Sequence, residues 1–195
     1  MIDYKLLSPP IPLDFQNRSK DELKTFYSWY IKAIPERMEQ LLSCITSTNG
    51  YEDFVLDYSP ESLGKLGEWF YSQIGTRQRT EKEKNEIYQE SPEWFKQIPI
   101  EEWELTNQTF SLAIDIGMYF AKVLTNNNTT LEIKHCITGR KDYIGYGQPV
   151  ITGFKNKMEF NPSHMMTTLA YGFASQKQKG NRLKELYDIW IKMYT

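Results

Sequence analysis

The chain has 195 residues, of which 40% are hydrophobic, 25% charged and 14% aromatic. A chain of this length and composition buries a core without disulfide or metal support, which excludes disordered, collagen-like and disulfide-rich classes of protein. The 23 basic and 25 acidic residues give a net charge of −2, which excludes a strongly basic nucleic-acid binder.

The near-neutral total conceals two halves of opposite charge. Residues 1–105 contain 19 acidic and 12 basic residues, whereas residues 106–195 contain 6 acidic and 11 basic residues. The net charges of the two halves are therefore −7 and +5. Such halves complement each other within one domain, face partners of opposite charge, or form ordinary solvated faces.

The chain is predicted to begin with an extended arm, residues 1–18, because positions 9–12 hold three prolines. A helix is predicted from Ser19, where Glu22 stands at the position that completes a capping box. Pro35 lies inside this helical pattern and is expected to kink or restart the helix, since proline has no amide hydrogen to donate.

Further helix starts follow in the acidic half of the chain. Ser59 and Ser91 are each followed by proline, a pair typical of the first turn of a helix. Thr80 is followed three residues later by a glutamate and forms a second capping-box pattern. Residues 19–105 are therefore expected to be a helical half.

Residues 107–124 predict a central helix that is apolar on almost every side, with Thr106 as its cap. Its polar residues Ser111, Asp115 and Lys122 form one narrow stripe. A helix so apolar elsewhere must be packed on most sides, so we expect it to be the spine of the fold.

After the central helix, the hydrophobic pattern changes to the two-residue period of strands. Residues 131–137, 150–154 and 158–160 are predicted to form an antiparallel sheet, and two helices follow. We therefore predict a mostly helical α+β fold in which a small sheet of about three strands packs on the central helix. We expect one domain over 1–195, with the central helix, the sheet and the C-terminal helices in 106–195.

One candidate pocket would lie between the sheet and the central helix and use Asp115, His135 and His164. If the stripe of Asp115 were buried, the pKa of its carboxyl would rise and it could act as a general base. We favour instead that Asp115 pairs with Lys122 or lies at the surface. We favour His135 as a hydrogen-bonded core residue, and His164 is also explained as a helix cap or a solvated residue. This pocket would make the chain an enzyme or a small-ligand-binding protein.

No motif assigns a catalytic residue, a metal ligand or a cofactor. The spacings H-x-x-x-H and C-x-x-C are missing, and Gly145 and Gly147 lack the third glycine and the helix of a dinucleotide loop. Cys44 and Cys136 have no partner pattern and are expected to be reduced thiols. With no signal-peptide pattern and no apolar run of about 18 residues, the sequence favours a cytoplasmic protein without a membrane partner.

Residues 81–104 are rich in acidic and aromatic side chains, with eight glutamates, three lysines and three aromatic residues besides tyrosine. This combination suits docking onto a basic protein, since charge speeds encounter and buried aromatic groups hold the complex. The candidate contact residues are Trp94, Glu101, Glu102, Trp103 and Glu104. The alternative interpretation is that the tryptophans are core residues and the acids solvate the outer face.

The basic residues between 134 and 184 suggest a third kind of partner, a nucleic acid. They are spread over the predicted hairpin and two helices, and no nucleic-acid-binding motif accompanies them. A nucleic-acid partner is therefore less favoured than a basic protein.

Residues 112–121, Leu-Ala-Ile-Asp-Ile-Gly-Met-Tyr-Phe-Ala, are followed by a polar turn and a predicted strand. This pattern resembles uncharacterised small bacterial proteins, some of which resemble immunity proteins that neutralise polymorphic toxins. The resemblance covers 106–154 and is one of packing, so it transfers no catalytic residue. Those proteins often have Gly-Glu where this chain has Ala121-Lys122. The resemblance implies a bacterial protein-binding module that acts through a preformed surface.

Overall fold

The computed structural model describes residues 4–155 and 157–194 of the chain. Helices dominate the described residues and strands are few and short, which confirms the predicted α+β, mostly helical class. In chain order the elements are α1 (Lys20–Thr46), α2 (Ser62–Ser72), β1 (Thr76–Gln78), α3 (Glu81–Glu90), β2 (Trp103–Leu105), α4 (Asn107–Asn127), β3 (Glu132–His135), β4 (Pro149–Thr152), α5 (Pro162–Ala174) and α6 (Arg182–Tyr194). Two short 3-10 helices occupy Phe15–Asn17 and Glu93–Gln97.

Helix α1 begins at the predicted capping box, in which the Ser19 side chain accepts from the amide of Glu22. The helix continues without a restart through Pro35, contrary to one of the two expectations for this residue. Ile34 and Met38 are buried on the same face on either side of the proline. Burying large apolar side chains is worth about 1.5–3 kcal/mol each, which offsets the cost of one missing backbone hydrogen bond.

Helix α4 is the spine of the fold, as the sequence predicted. Most of its length is buried, and it packs against α1, α5 and β3. Gly117 allows α5 to approach closely, since a Cβ atom at this position would lie 3.1 Å from the Pro162 carbonyl. The elements that carry the candidate pocket residues are therefore all arranged around α4.

The residues that the structure describes form two antiparallel pairs of strands. Strand β3 pairs with β4, and the predicted third strand is reduced to a single bridge between Ile151 and Phe160. Gly153 and Lys157 have positive φ values of 103° and 54°, so the backbone at these two positions departs from the extended conformation of a regular strand. Strand β1 pairs with β2, which the sequence did not predict because three-residue strands are too short to show a period.

From Tyr4 onward, the N-terminal arm lies against α1 and α4. Tyr4, Ile11 and Phe15 pack on the hydrophobic core, and Leu7 donates its amide to the Ser111 hydroxyl at 3.0 Å. Within the described ranges, no helix is long and apolar enough to cross a membrane.

A glycine in α2 allows this helix to approach closely the start of α6 and the residues just before it. A Cβ atom at Gly67 would lie 2.1 Å from the Gly180 carbonyl oxygen. The change Gly67→Ala should therefore force the chain apart there and lower the free energy of unfolding by about 1–3 kcal/mol. Urea unfolding measures this loss.

Gly64 provides the matched control, because it lies one helical turn earlier in α2 with no atom within 4 Å of its Cβ position. Gly64→Ala should leave stability unchanged or raise it by up to about 1 kcal/mol through helix propensity. Equal effects of the two alanines would contradict the close approach.

Candidate functional site

Residues 81–102 of the acidic and aromatic segment lie in an excursion, defined as residues 79–102, that connects β1 to β2, and the last two residues of the segment lie in β2. At its base Gln78 pairs with Trp103, and the Arg79 amide donates to the Glu102 carbonyl at 2.9 Å. Neither α3 nor the 3-10 helix of the excursion buries a residue. The excursion is therefore held at both ends, whereas its two helices contribute no buried residue to the core.

The excursion is anchored to β1 by the capping group of α3. As predicted, the Thr80 side chain accepts from the amide of Glu83, and the Glu83 carboxylate accepts from the Thr80 amide. The Arg77 guanidinium also donates to Glu83 at 2.5 Å. These hydrogen bonds, first that of Arg77, lower the pKa of Glu83 to about 2. The start of α3 is thereby tied to the sheet.

The two tryptophans of the segment have different surroundings. The Trp94 side chain is 67% exposed, and its ring meets Phe95 edge-on at 5.9 Å between centroids. Ile98, the residue that follows the 3-10 helix, is 45% exposed. Trp103 is half-buried, with its ring 6.1 Å from that of Tyr171. The interpretation of the tryptophans as core residues is thus wrong for Trp94, whereas it agrees with the packing of Trp103.

The glutamates of the segment also differ in their surroundings. Glu101 and Glu102 are exposed, and Glu102 pairs with Lys84. Glu90 and Glu101 form no ion pair among the described residues. Since exposed ion pairs contribute little to stability, these acids can exchange their present surroundings for a partner at small cost.

Glu104 is instead a structural anchor. One carboxylate oxygen accepts from Arg79 at 2.5 Å, and the other accepts from the Tyr171 hydroxyl at 2.5 Å and the Leu105 amide at 2.7 Å. Burial acts to raise the pKa of Glu104, but these hydrogen bonds outweigh it and hold the pKa below its usual value. Glu104 joins the base of the excursion to α5 and is not available to a partner.

Glu104→Gln should lower the free energy of unfolding by about 1–3 kcal/mol, because it removes a negative charge to which three groups donate hydrogen bonds. Faster amide hydrogen exchange across residues 79–102 should accompany the loss. Glu102→Gln is the matched control, since its side chain is 70% exposed against 17% for Glu104, and it should cost less than about 1 kcal/mol. An equal cost for both would show that Glu104 is not an anchor.

Asp115 is fully buried and ion-paired, so the expectation that it pairs with Lys122 or lies at the surface is wrong. Arg37 donates from Nε to Oδ1 at 2.8 Å and from Nη2 to Oδ2 at 2.7 Å, and the Tyr4 hydroxyl donates to Oδ2 at 2.5 Å. Burial raises the pKa of Asp115, while the hydrogen bonds from Arg37 and Tyr4 oppose this shift. With both oxygens occupied, the carboxylate has a structural role.

The two histidines do not join Asp115. His135 is half-buried and stacks on Tyr27 with ring centroids 4.7 Å apart, and burial lowers its pKa. His164 is exposed in the first turn of α5, where its amide donates to the Asn161 side chain at 3.1 Å. No hydrogen bond links any two of Asp115, His135 and His164, all of which the structure describes.

Two cavities lie away from these three residues. One of about 590 Å³ lies along the outer face of α1 between Lys24 and Glu36. Another of about 240 Å³ lies between the arm at residues 13–17 and the loop at 143–148. Neither is lined by the proposed pocket residues. In the described part of the chain, no three His, Cys, Asp or Glu residues are grouped as metal ligands.

Comparison with known proteins gave no match among family models, curated proteins or solved structures. The functional inference for this chain therefore depends on its own geometry and chemistry.

Proposed function

We propose that the chain is a protein-binding module that docks onto a basic protein through the exposed face of the excursion. The observation that carries this proposal is the 67% exposure of Trp94 on a segment whose helices bury no residue. An exposed tryptophan is a typical anchor of protein interfaces, because it supplies a large apolar area with few rotatable bonds.

The charge of the excursion supports a basic partner. Residues 79–102 contain seven glutamates and four basic residues, so the segment has a net charge of −3. Glu90, Glu93 and Glu101 are exposed and near Trp94 in sequence. Complementary charge around an apolar anchor raises the rate of association and disfavours acidic partners.

The attachment of the excursion supports a preformed surface. Arg77 and Glu83 fix one end, and Glu104 with Tyr171 fixes the other. A segment already held at both ends loses little conformational entropy on binding. Residues 106–154 resemble uncharacterised small bacterial proteins, some of which resemble immunity proteins, and on this ground the specific kind of module that we propose is a toxin-neutralising protein of the bacterial cytoplasm.

The small-ligand or enzymatic pocket is the less supported function. The carboxylate of Asp115 already accepts three hydrogen bonds, and both histidines lie apart from it. Of Asp115, His135 and His164, none is both exposed to solvent and hydrogen-bonded to another of the three.

Charge reversal tests the proposal. The triple variant with Glu90→Lys, Glu93→Lys and Glu101→Lys should lose most of the basic protein that the unchanged chain captures from its native cell at low salt. Each captured protein is identified, purified and tested for direct binding.

A charge-matched control uses exposed acids outside the excursion, Glu39→Lys, Asp53→Lys and Glu61→Lys. This control should retain capture of the same basic protein. If the excursion variant captures that protein as well as the control does, the proposed docking surface is wrong.

A further inference from the structure

The first described residues of the arm occupy a groove between α1 and α4, which we call the arm groove and define by Arg37, Ser111 and Asp115. The Tyr4 hydroxyl donates to Asp115 and accepts from Arg37 Nη2 at 2.8 Å. Arg37 Nη1 donates to the Lys5 carbonyl at 2.9 Å, and the guanidinium lies 5.2 Å from the Tyr4 ring centroid. The segment 4–7 is therefore bound as a specific peptide ligand would be.

The segment that follows is attached much more weakly. Residues 8–13 form no hydrogen bond among the described residues, although Pro9 and Ile11 are half-buried. The backbone bends at positions 10, 11 and 13. Proline favours the straight polyproline II conformation, so three prolines in this stretch oppose the bends that return segment 4–7 to its own groove.

We propose that segment 4–7 also binds the arm groove of a second copy of the chain, which gives an arm-exchanged dimer. Both copies offer the same groove and the same arm, so the contacts of Tyr4, Lys5 and Leu7 are reproduced between chains. If residues 8–13 straighten, they span about 19 Å at about 3.1 Å per residue, enough to carry the arm to a neighbouring molecule. This dimer is independent of docking by the excursion.

The exposed ion pair of Lys5 and Glu36 joins the arm to α1, so a cross-link between these two residues shows whether an arm occupies the groove of its own chain or that of a second copy. Lys5 Nζ lies 3.9 Å from Glu36 Oε1, with side chains that are 71% and 66% exposed. A carbodiimide joins such a pair as an amide. We would unfold and refold isotope-labelled and unlabelled full-length chains together at high concentration, isolate the dimer fraction and cross-link it.

In arm-exchanged dimers, about half of the Lys5–Glu36 cross-links should join a labelled with an unlabelled peptide, as random pairing of equal populations requires. The ion pair of Lys84 and Glu102 within the excursion should give only unmixed cross-links. Absence of a dimer, or a dimer with only unmixed Lys5–Glu36 cross-links, would overturn the proposal.

A hinge variant tests the cause of exchange. Pro9→Ala, Pro10→Ala and Pro12→Ala together leave Tyr4, Arg37 and Asp115 in place but remove the preference for a straight hinge. The yield of mixed Lys5–Glu36 cross-links per amount of refolded chain should fall several-fold in this variant. An unchanged yield would contradict the role given to the prolines.

Discussion

Asp115→Ala is expected to lower the free energy of unfolding by about 3–5 kcal/mol, the cost of breaking a buried ion pair by removing one partner. The Arg37 residue is 5% exposed, and its guanidinium donates two of its hydrogen bonds to this carboxylate. After the substitution it remains buried with an uncompensated charge, and Tyr4 loses its acceptor. Urea unfolding at neutral pH measures the loss.

Two further variants separate the charge from the packing. Asp115→Leu combined with Arg37→Met should recover most of the stability, because an apolar pair of similar volume removes both desolvated charges. Glu39→Ala, at an exposed position of α1, should change the free energy of unfolding by less than about 0.5 kcal/mol. A loss below about 1 kcal/mol for Asp115→Ala would show that the pair does not hold the arm, α1 and α4 together.

Features set by neighbouring residues were predictable from sequence. The capping boxes at Ser19 and Thr80 require only residues three positions apart, and both form as predicted. The nearly continuous apolar surface of residues 107–124 likewise shows that α4 is the spine. Such signals lie within one or two helical turns, where side-chain spacing determines what can meet.

Partnerships between distant residues were not predictable. Arg37 is 78 positions from Asp115, and nothing in the sequence near either residue indicates the other. The same holds for Glu104 and Tyr171, which are 67 positions apart. A polar residue inside an apolar helix signals a buried partner or an exposed stripe, and only the packing of α1 against α4 decides between them.

The candidate docking residues show the same limit. The composition of 81–104 indicated an acidic and aromatic surface, but it did not distinguish exposed Trp94 from half-buried Trp103. The β1–β2 pairing turns Glu104 towards Arg79 and α5, whereas Glu101 remains exposed. The surface that we propose therefore keeps Trp94, Glu101 and Glu102 and excludes Glu104.

Trp94→Ala is expected to weaken binding of the basic partner by about 2–4 kcal/mol, which corresponds to roughly 30–1000-fold in Kd. The reason is that the partner would bury the side chain of Trp94, a residue that is now 67% exposed. Stability should change by less than about 0.5 kcal/mol, since the residue adds nothing to the core. Val55→Ala is the matched control, because its side chain is 64% exposed and lies outside the excursion.

The most direct test of docking by the excursion is calorimetric titration of the purified captured partner into the unchanged chain, Trp94→Ala and Val55→Ala. We expect the Kd to rise at least about 30-fold for Trp94→Ala and to stay within about threefold for Val55→Ala. Equal affinity of Trp94→Ala and the unchanged chain would contradict the proposal that this chain binds its partner through the excursion.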